Sequence, residues 1–457
     1  MPPQRRIDVV FDSVKRLQRI GATANLLNLL QKQHPADLAE LFSDLTDRDR
    51  RSVFDTLLGH NSRLAMETLS EMDSEVAAVM LVDLPADRLA QHLQELPSDD
   101  AAALLGALPE DLSASVLELM RHKESGEVQH LLEYDDQTAG RIMNPNVFAL
   151  AEDLTAGEAI EALQRSREVE MVFYLYLVDT RRHLVGVVSL RRLLLVSPET
   201  PLKRIGTTDL VSARVDMDQE EVARLVASYN LLALPVVDEE NKLVGIITVD
   251  DVIDVIKDEA TEDIYRMAGI SSDEHVSTAA GEAWRKRLPW LGINLITAIL
   301  AAFVVRSFQA TIDEVVALAA FMTIVASMGG NAATQTLTVV VRGIALGELT
   351  WGNSRKVLVK EALIGLGNGL VLGLVGAGVA WIVVGNPYFG GILALAMVVN
   401  LLVAAIAATL IPIALRALKV DPALASSVFI TTLTDMFGFF AFLGLATIFL
   451  TYLDRIG

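Results

Sequence analysis

The chain has 457 residues, enough for two or three domains, and combines a hydrophobic fraction of 52% with a formal charge of −20. That acid excess excludes the basic footprint of a nucleic-acid binder and favours cations or cationic partners. No cysteine occurs, which removes thiolate ligands, disulfides and cysteine nucleophiles together. The two properties coexist because the chain is split near Arg287. Asp, Glu, Lys and Arg crowd the part before it, all seven histidines lie there, and apolar runs dominate after it. The opening MPPQRRIDVVFDSVKRLQRIG lacks the apolar core of a secretory leader, so the charged part is expected in the cytoplasm.

Residues 1–134 read as a helical domain. Leu84-Pro85, Leu96-Pro97 and Leu108-Pro109 open segments at a twelve-residue interval (LPADRLAQHLQE, LPSDDAAALLGA, LPEDLSASVLEL). Pro followed by acids and then Leu/Ala periodicity is a helix-start pattern, and stacked units of this kind build a small superhelix. Residues 135–255 change to strand–helix alternation with a second repeat. YLYLVDTRRHLVGVVSLRRLL (Tyr174–Leu194) returns 59 residues later as ALPVVDEENKLVGIITVDDVI (Ala233–Ile253). Each copy is an apolar strand, an acidic turn, LVG and a second strand running into a helix. The pair resembles tandem CBS modules, α+β units that often hold adenine nucleotides through a Ser/Thr-x-x-Asp step. Thr248 and Asp251 keep that step and are the candidate nucleotide-binding residues, whereas Ser189 is followed by Arg192.

A polar helix is expected next, over 256–284, as a connector loaded with acid. Asp251, Asp254, Asp258, Glu259, Glu262 and Asp263 recur at spacings of three and four, so most share one face. Like charges so placed destabilise an isolated helix, by a few tenths of a kcal/mol per pair. A solvated connector and a cation-binding face both fit this pattern.

From residue 285 to 457 the chain is expected to form a membrane domain. Five stretches can cross a hydrocarbon core of roughly 30 Å: Pro289–Val305, Val315–Val341, Glu361–Val384, Gly391–Leu415 and Val428–Leu450. Arg285, Lys286 and Arg287 precede the first; Arg342, Arg355, Lys356 and Lys360 follow the second; Arg416 and Lys419 follow the fourth. The opposite loops hold only Arg306, and Arg455 lies in the tail. The positive-inside rule therefore puts the N-terminal domains in the cytoplasm and the C-terminus outside.

Two of these stretches carry polar stripes. In the last, Asp435 is the only charge between Ala423 and Tyr452, and Ser427, Thr431 and Asp435 fall one helical turn apart, flanked by Thr434 and Gly438. A carboxylate at mid-bilayer costs roughly 2.5–3.5 kcal/mol on insertion scales and normally faces a bundle interior or a watery path. In the second, Ser327, Asn331, Thr334, Gln335, Thr338 and Arg342 line one side behind Gly329-Gly330. Amides and hydroxyls suit the water shell of an ion; hydrogen bonds between helices would use the same groups. Gly365, Gly367, Gly369, Gly373, Gly376 and Gly378 contain fragments of a phosphate-binding fingerprint, but within a membrane helix they are expected to be packing contacts. No HExxH, P-loop or Ser/His/Asp arrangement occurs, so no enzyme is indicated.

With MGGNAATQTLTVVVR, DPALASSVFITTLTDMFGFFAFLGLA and the ATEDI helix, the whole chain resembles the MgtE family of magnesium channels. The resemblance implies a homodimer in the cytoplasmic (inner) membrane, with a pore on its two-fold axis lined by the second and fifth helices. It places the ion path at Asp435, Thr431, Ser427, Asn331, Gly329 and Gly330. It places regulatory Mg²⁺ on Asp218, Glu220, Asp251, Asp254, Glu259, Glu262 and Asp263, with Glu110 contributing from the N-domain. The chain departs from the family at Thr323, often Pro; Ala333, a second Gly; and Gln309, often Glu. Ala114 and Asn230 stand where further acids are expected. Mg²⁺ is thus implied as both substrate and regulator, with ATP at the CBS pair. The alternatives are a channel for Co²⁺ or Mn²⁺, and a non-conducting membrane-anchored CBS sensor. A coupled carrier would call for inverted repeats or a second buried acid, neither of which is read in the chain.

Overall fold

The computed structural model describes residues 3–166, 172–271, 274, 276, 278–424 and 427–453, with backbone alone for residues 3–8 and 427. They form two compact units, one through Ile256 and the other from Lys257.

In the first unit, ten short helices run between Pro3 and Leu132. Pro85, Pro97 and Pro109 stand in extended backbone immediately before the helices Ala86–Leu93, Ser98–Gly106 and Glu110–Leu119, with acids in each first turn. This placement suits a residue with no N–H to donate, and acids there complement the helix dipole. Leu89, Leu93, Ala101, Ala102, Leu105 and Val116 bury the inward faces and join one core.

The 59-residue repeat folds as two three-stranded sheets. In one, β1 (Ala149–Ala151) runs parallel to β2 (Tyr174–Val178), which pairs antiparallel with β3 (Leu184–Ser189). In the other, β4 (Ala213–Arg214), β5 (Ala233–Val237) and β6 (Leu243–Thr248) repeat that order. Both hairpins turn the same way. Asp179 accepts from the backbone N–H of Arg181 and His183, and Asp238 from those of Glu240 and Lys242. Arg182 (φ 67°) and Asn241 (φ 63°) then take the left-handed conformation. The copies join reciprocally: the Leu184 N–H donates to Asn241 O, and the Leu243 N–H to Arg182 O.

The acidic helix is Val249–Ala268, shorter than the 256–284 connector expected from sequence at its C-terminal end. Gly269, at φ +70°, stops it, and the N–H of Ile270 bonds back to Tyr265 O. This is the left-handed C-terminal cap for which glycine carries the least strain. Among the described residues of the second unit, five helices are long and apolar enough to cross a membrane: first span Ala280–Ser307, second Ala317–Ala345, third Ser354–Val384, fourth Pro387–Ala417, and fifth Ser427–Ile448. The third starts seven residues before its apolar run, because Ser354, Arg355, Lys356 and Lys360 continue the helix as a charged end. Asn386 caps the fourth through the N–H groups of Tyr388 and Phe389.

Third and fourth spans meet along small residues. A Cβ on Gly365 would lie 2.7 Å from Leu401 O, on Gly369 2.7 Å from Val398 Cα, and on Gly373 2.9 Å from Ala394 O. Gly367 and Gly378 have nothing within 4 Å. The glycine run is therefore a backbone-to-backbone seam, and helices at such distance gain dispersion contacts that lipid cannot supply. We expect Gly369→Leu to lower stability by roughly 1–3 kcal/mol through overpacking, seen as a lower thermal midpoint in detergent. Gly378→Leu should leave that midpoint unchanged; equal effects of the two would contradict the seam.

Candidate ion path and acidic clusters

The polar stripe of the second span is exposed. Thr323, Ser327, Asn331, Thr334, Gln335, Thr338 and Arg342 all face outward, whereas Val325, Gly329, Ala333, Leu337 and Val341 are buried against neighbouring helices. The stripe therefore does not serve as glue within the chain. Thr334 and Thr338 return their hydroxyls to the carbonyls of Gly330 and Thr334, one turn back on the same helix. Met328, Asn331, Thr334, Gln335, Thr338 and Val339 line a groove of about 670 Å³, open along one side. Seven outward polar groups on a membrane helix are costly against lipid and suit water or a second polar surface.

Asp435 lies on the fifth span, outside the lining of that groove, and is half-buried. No hydrogen bond or ion pair reaches it among the described residues. Pairing with a charge on another helix, the purely structural explanation for this acid, is not seen among the described residues. Thr431 is half-buried one turn earlier, and the two spans touch there: a Cβ on Gly330 would meet Thr431 Cγ2 at 3.3 Å. Thr434 is fully buried and bonds to Thr431 O, and Gly438 is covered. Thr434 and Gly438, which spacing sets at the flanks of the stripe, thus face the bundle interior. The side chain of Ser427 lies outside the described residues.

The expectation of a single buried membrane acid does not hold. Glu361 is 4% exposed on the third span, accepting from Thr336 Oγ1 at 3.2 Å beside Lys360 Nζ at 3.1 Å. It sits two turns into a helix whose charged end precedes the apolar run, so length counting on the apolar run placed it at a boundary and hid its burial.

In the first unit the fold gathers acids onto Asp251. Burial, then the charges of Asp251 and Asp100, push Asp99 up to about 8. Burial, then Asp251, Glu71 and Asp250, push Asp100 up to about 7. Asp251 itself rises to about 6 through burial, opposed by the hydroxyl of Thr248 at 2.5 Å. Asp99 also accepts from Asn144 Nδ2 at 3.2 Å, and Asn144 exchanges backbone bonds with Ile246 of β6. Sequence reasoning passed over Asp99 and Asp100, taking the LPSDD acids as helix-start residues, which they also are. Glu110 is exposed in the first turn of its helix. Asp218 caps the helix Gln219–Tyr229 through the N–H of Glu220, Glu220 is half-buried, and Asp254 is exposed. Thr248 and Asp251 bond to each other directly, while Ser189 caps its helix at the Arg192 N–H.

In the second unit, Asp263 is raised to about 6 by burial and then by Asp421 and Glu262, against the opposing pull of Arg266. Arg266 pairs with both Glu262 and Asp421, tying the acidic helix to the loop between fourth and fifth spans. Glu259 is half-buried. Among the described residues no group of three His, Asp or Glu side chains stands close enough to hold a bare metal ion.

Comparison with known proteins matches three parts of the chain. Residues 33–137 match the MgtE intracellular N domain, 139–199 and 202–258 match CBS domains, and 322–445 match a divalent cation transporter model. The magnesium transporter MgtE of Thermus thermophilus is 36% identical over 333 residues, covering 71% of this chain and 72% of that one. That of Bacillus subtilis is 38% identical over 328 residues, covering 72% and 73%. The solved cytosolic domain of the Mg²⁺ channel MgtE in complex with ATP, 38% identical, aligns with 54% of this chain and 99% of its own at a TM-score of 0.50. The chain belongs to the MgtE family: it is a membrane-embedded magnesium transporter and not an enzyme.

Proposed function

We propose that this transporter is a channel admitting Mg²⁺ to the cytoplasm along the two-fold axis of a homodimer, and that cytosolic Mg²⁺ closes it. The observation that carries the reading is the outward polar stripe of the second span, open in one chain and beside the half-buried Asp435 helix. A second copy would cover that stripe with an equal stripe and turn an open groove into a lined path.

The donors along this path fit the ion. Mg²⁺ demands six oxygens in near-ideal octahedral geometry and gives up water reluctantly. Asn331, Thr334, Gln335 and Thr338 offer hydrogen-bonding groups suited to bound water, and Asp435, Thr431 and Ser427 extend the set on the fifth span. Gly330 allows the second and fifth spans to approach, at Thr431. Two Asp435 carboxylates across the axis would attract a dication at the distance of its water shell, which offsets the cost of holding each acid in the membrane.

Closure follows from the acids outside the membrane. Asp99, Asp100 and Asp251 are carboxyls whose shared burial disfavours the ionised form. Cations bridging them through water would relieve that repulsion, and Asp254, Asp218, Glu220, Glu259, Glu262, Asp263 and Glu110 supply further oxygens on the same domains and the acidic helix. If the closed arrangement binds more Mg²⁺ than the open one, Mg²⁺ must favour closure. An adenine nucleotide at Thr248 and Asp251 would draw on the same carboxylate, so nucleotide and Mg²⁺ occupancy would be linked. The positive-inside count and the acidic domains support a cytoplasmic N-terminal side.

Mg²⁺ entry into proteoliposomes of the full-length protein tests the path. Asp435→Ala is expected to reduce flux roughly 10–100-fold, the span of one lost charge-assisted contact, and wild-type flux should fall as Mg²⁺ on the cytoplasmic face rises. Undiminished flux in Asp435→Ala would overturn the path, and absence of Mg²⁺ flux with Mn²⁺ or Co²⁺ flux retained would reassign its ion.

Protonation gives the test of the acidic cluster. Asp251, Asp100 and Asp99 keep protons to about 6, 7 and 8 in the fold, well above an ordinary carboxyl. A raised pKa stabilises the folded unit at low pH, and that stabilisation is lost as pH rises through the folded values. Without Mg²⁺ the thermal midpoint should fall from pH 6 to pH 8, and fall less in Asp99→Asn/Asp100→Asn; added Mg²⁺ should raise it more at the upper end, where the carboxylates are free of protons. Identical pH slopes in wild type and double variant would contradict the cluster.

A further inference from the structure

Three polar side chains are buried within the third and fourth spans among the described residues, Glu361, Asn400 and Thr409, and two of them are provided for. Glu361 takes a bond from Thr336, and Thr409 bonds to Ala405 O on its own helix. Asn400, on the fourth span, is different. It is 1% exposed, its Nδ2 donates to Val325 O of the second span at 2.9 Å, and its Oδ1 has no partner among the described residues.

Glycines of two other helices stand against this amide. A Cβ on Gly329 of the second span would lie 2.2 Å from Asn400 Nδ2 and 2.9 Å from its Cγ. A Cβ on Gly438 of the fifth span would lie 2.7 Å from Nδ2 and 3.0 Å from Cγ. At both positions all three nearest atoms belong to Asn400. One side chain from a third helix therefore fills the space between the second and fifth spans, and both glycines leave room for it. An apolar residue of the same volume would fill that space without leaving an acceptor unpaired in a low-dielectric interior. What the amide adds is a directional bond to Val325 O, which fixes rotation as well as separation. Gly438 lies one turn beyond Asp435, so a shift at the wedge shifts the carboxylate.

We propose that Asn400 is a positioning residue for ion selection: wedged between Gly329 and Gly438, it sets the spacing and rotation of the second and fifth spans beside Asp435. The proposal rests on the reading of those two spans as the ion path. A path that holds Mg²⁺ through its water discriminates by width, because Ca²⁺ is larger, sheds water readily and accepts flexible ligation. Loosening the wedge admits Ca²⁺; tightening it obstructs Mg²⁺.

The experiment measures Ca²⁺ and Mg²⁺ flux in proteoliposomes of the full-length chain and takes their ratio, which does not depend on the amount of folded protein. Asn400→Ala and Asn400→Leu are expected to raise the Ca²⁺:Mg²⁺ ratio roughly threefold or more, the scale of one lost hydrogen bond. The Leu variant keeps the volume and carries the same test if the Ala variant does not assemble. Gly438→Ala should lower Mg²⁺ flux, and Gly438→Ala/Asn400→Ala should restore it, since the three atoms nearest the added methyl all belong to Asn400. Asp435→Ala is run beside them. Lost flux in Asp435→Ala with wild-type ratios in both Asn400 variants would overturn the positioning role and leave the ion path standing. Full flux in Asp435→Ala would overturn the ion path and this proposal with it.

Discussion

A carboxylate inside an apolar helix has to be hydrated, protonated, paired or shared with a cation, and that requirement organises the membrane unit. Among the described residues no charged group pairs with Asp435, and the helix beside it turns seven polar side chains outward instead of inward. Polar groups left facing hydrocarbon would be unsatisfied, so the same surface calls for water or an equal surface from a second copy. The other helices are arranged around this. Glycines at 365, 369 and 373 lock the third and fourth spans together, while Thr434, Gly438 and Asn400 fill the interior behind the stripe.

The acids outside the membrane obey the same electrostatics in the opposite sense. Asp99, Asp100 and Asp251 are held close by helix packing and by the Asn144 bridge to β6, although their charges oppose it. Such a cluster is a store of repulsion that protons or divalent cations relieve, which makes it responsive to both. Arg266 plays the complementary part, answering Glu262 and Asp421 with a fixed positive charge where the acidic helix meets the loop before the fifth span. The proposed ion path and its proposed regulation therefore draw on one kind of interaction, the oxygen of a carboxylate seeking a hard cation.

Much of this was legible in the residues. The 59-residue repeat predicted two like modules, and the Asp179 and Asp238 turns, with Arg182 and Asn241 in matching left-handed backbone, are that repeat in three dimensions. Helical spacing placed the stripe of the second span correctly, because a single outward face leaves a clean period. Spacing sets Thr434 and Gly438 at the flanks of the fifth span's stripe, within one turn of Asp435, but burial, which spacing cannot see, turns them inward. Asn400 was passed over because a single amide in a long apolar run has no periodic companion. Its importance lies in two glycines on other helices. Asp99 and Asp100 were hidden for a related reason, since their local role as first-turn acids explained them fully until the fold brought Asp251 alongside.

The chain contains no cysteine, so single cysteines can map the stripe directly. Cysteines placed one at a time at Ser327, Asn331, Gln335 and Thr338, and at the exposed apolar positions Val371 and Leu374 of the third span, would be treated with a membrane-impermeant charged thiol reagent during Mg²⁺ flux. The account predicts modification and block at the stripe positions, protection of those positions by Mg²⁺, and no block at 371 or 374. Stripe cysteines as inert as the pair on the third span would mean that the polar face meets no water, and the ion path would have to lie elsewhere.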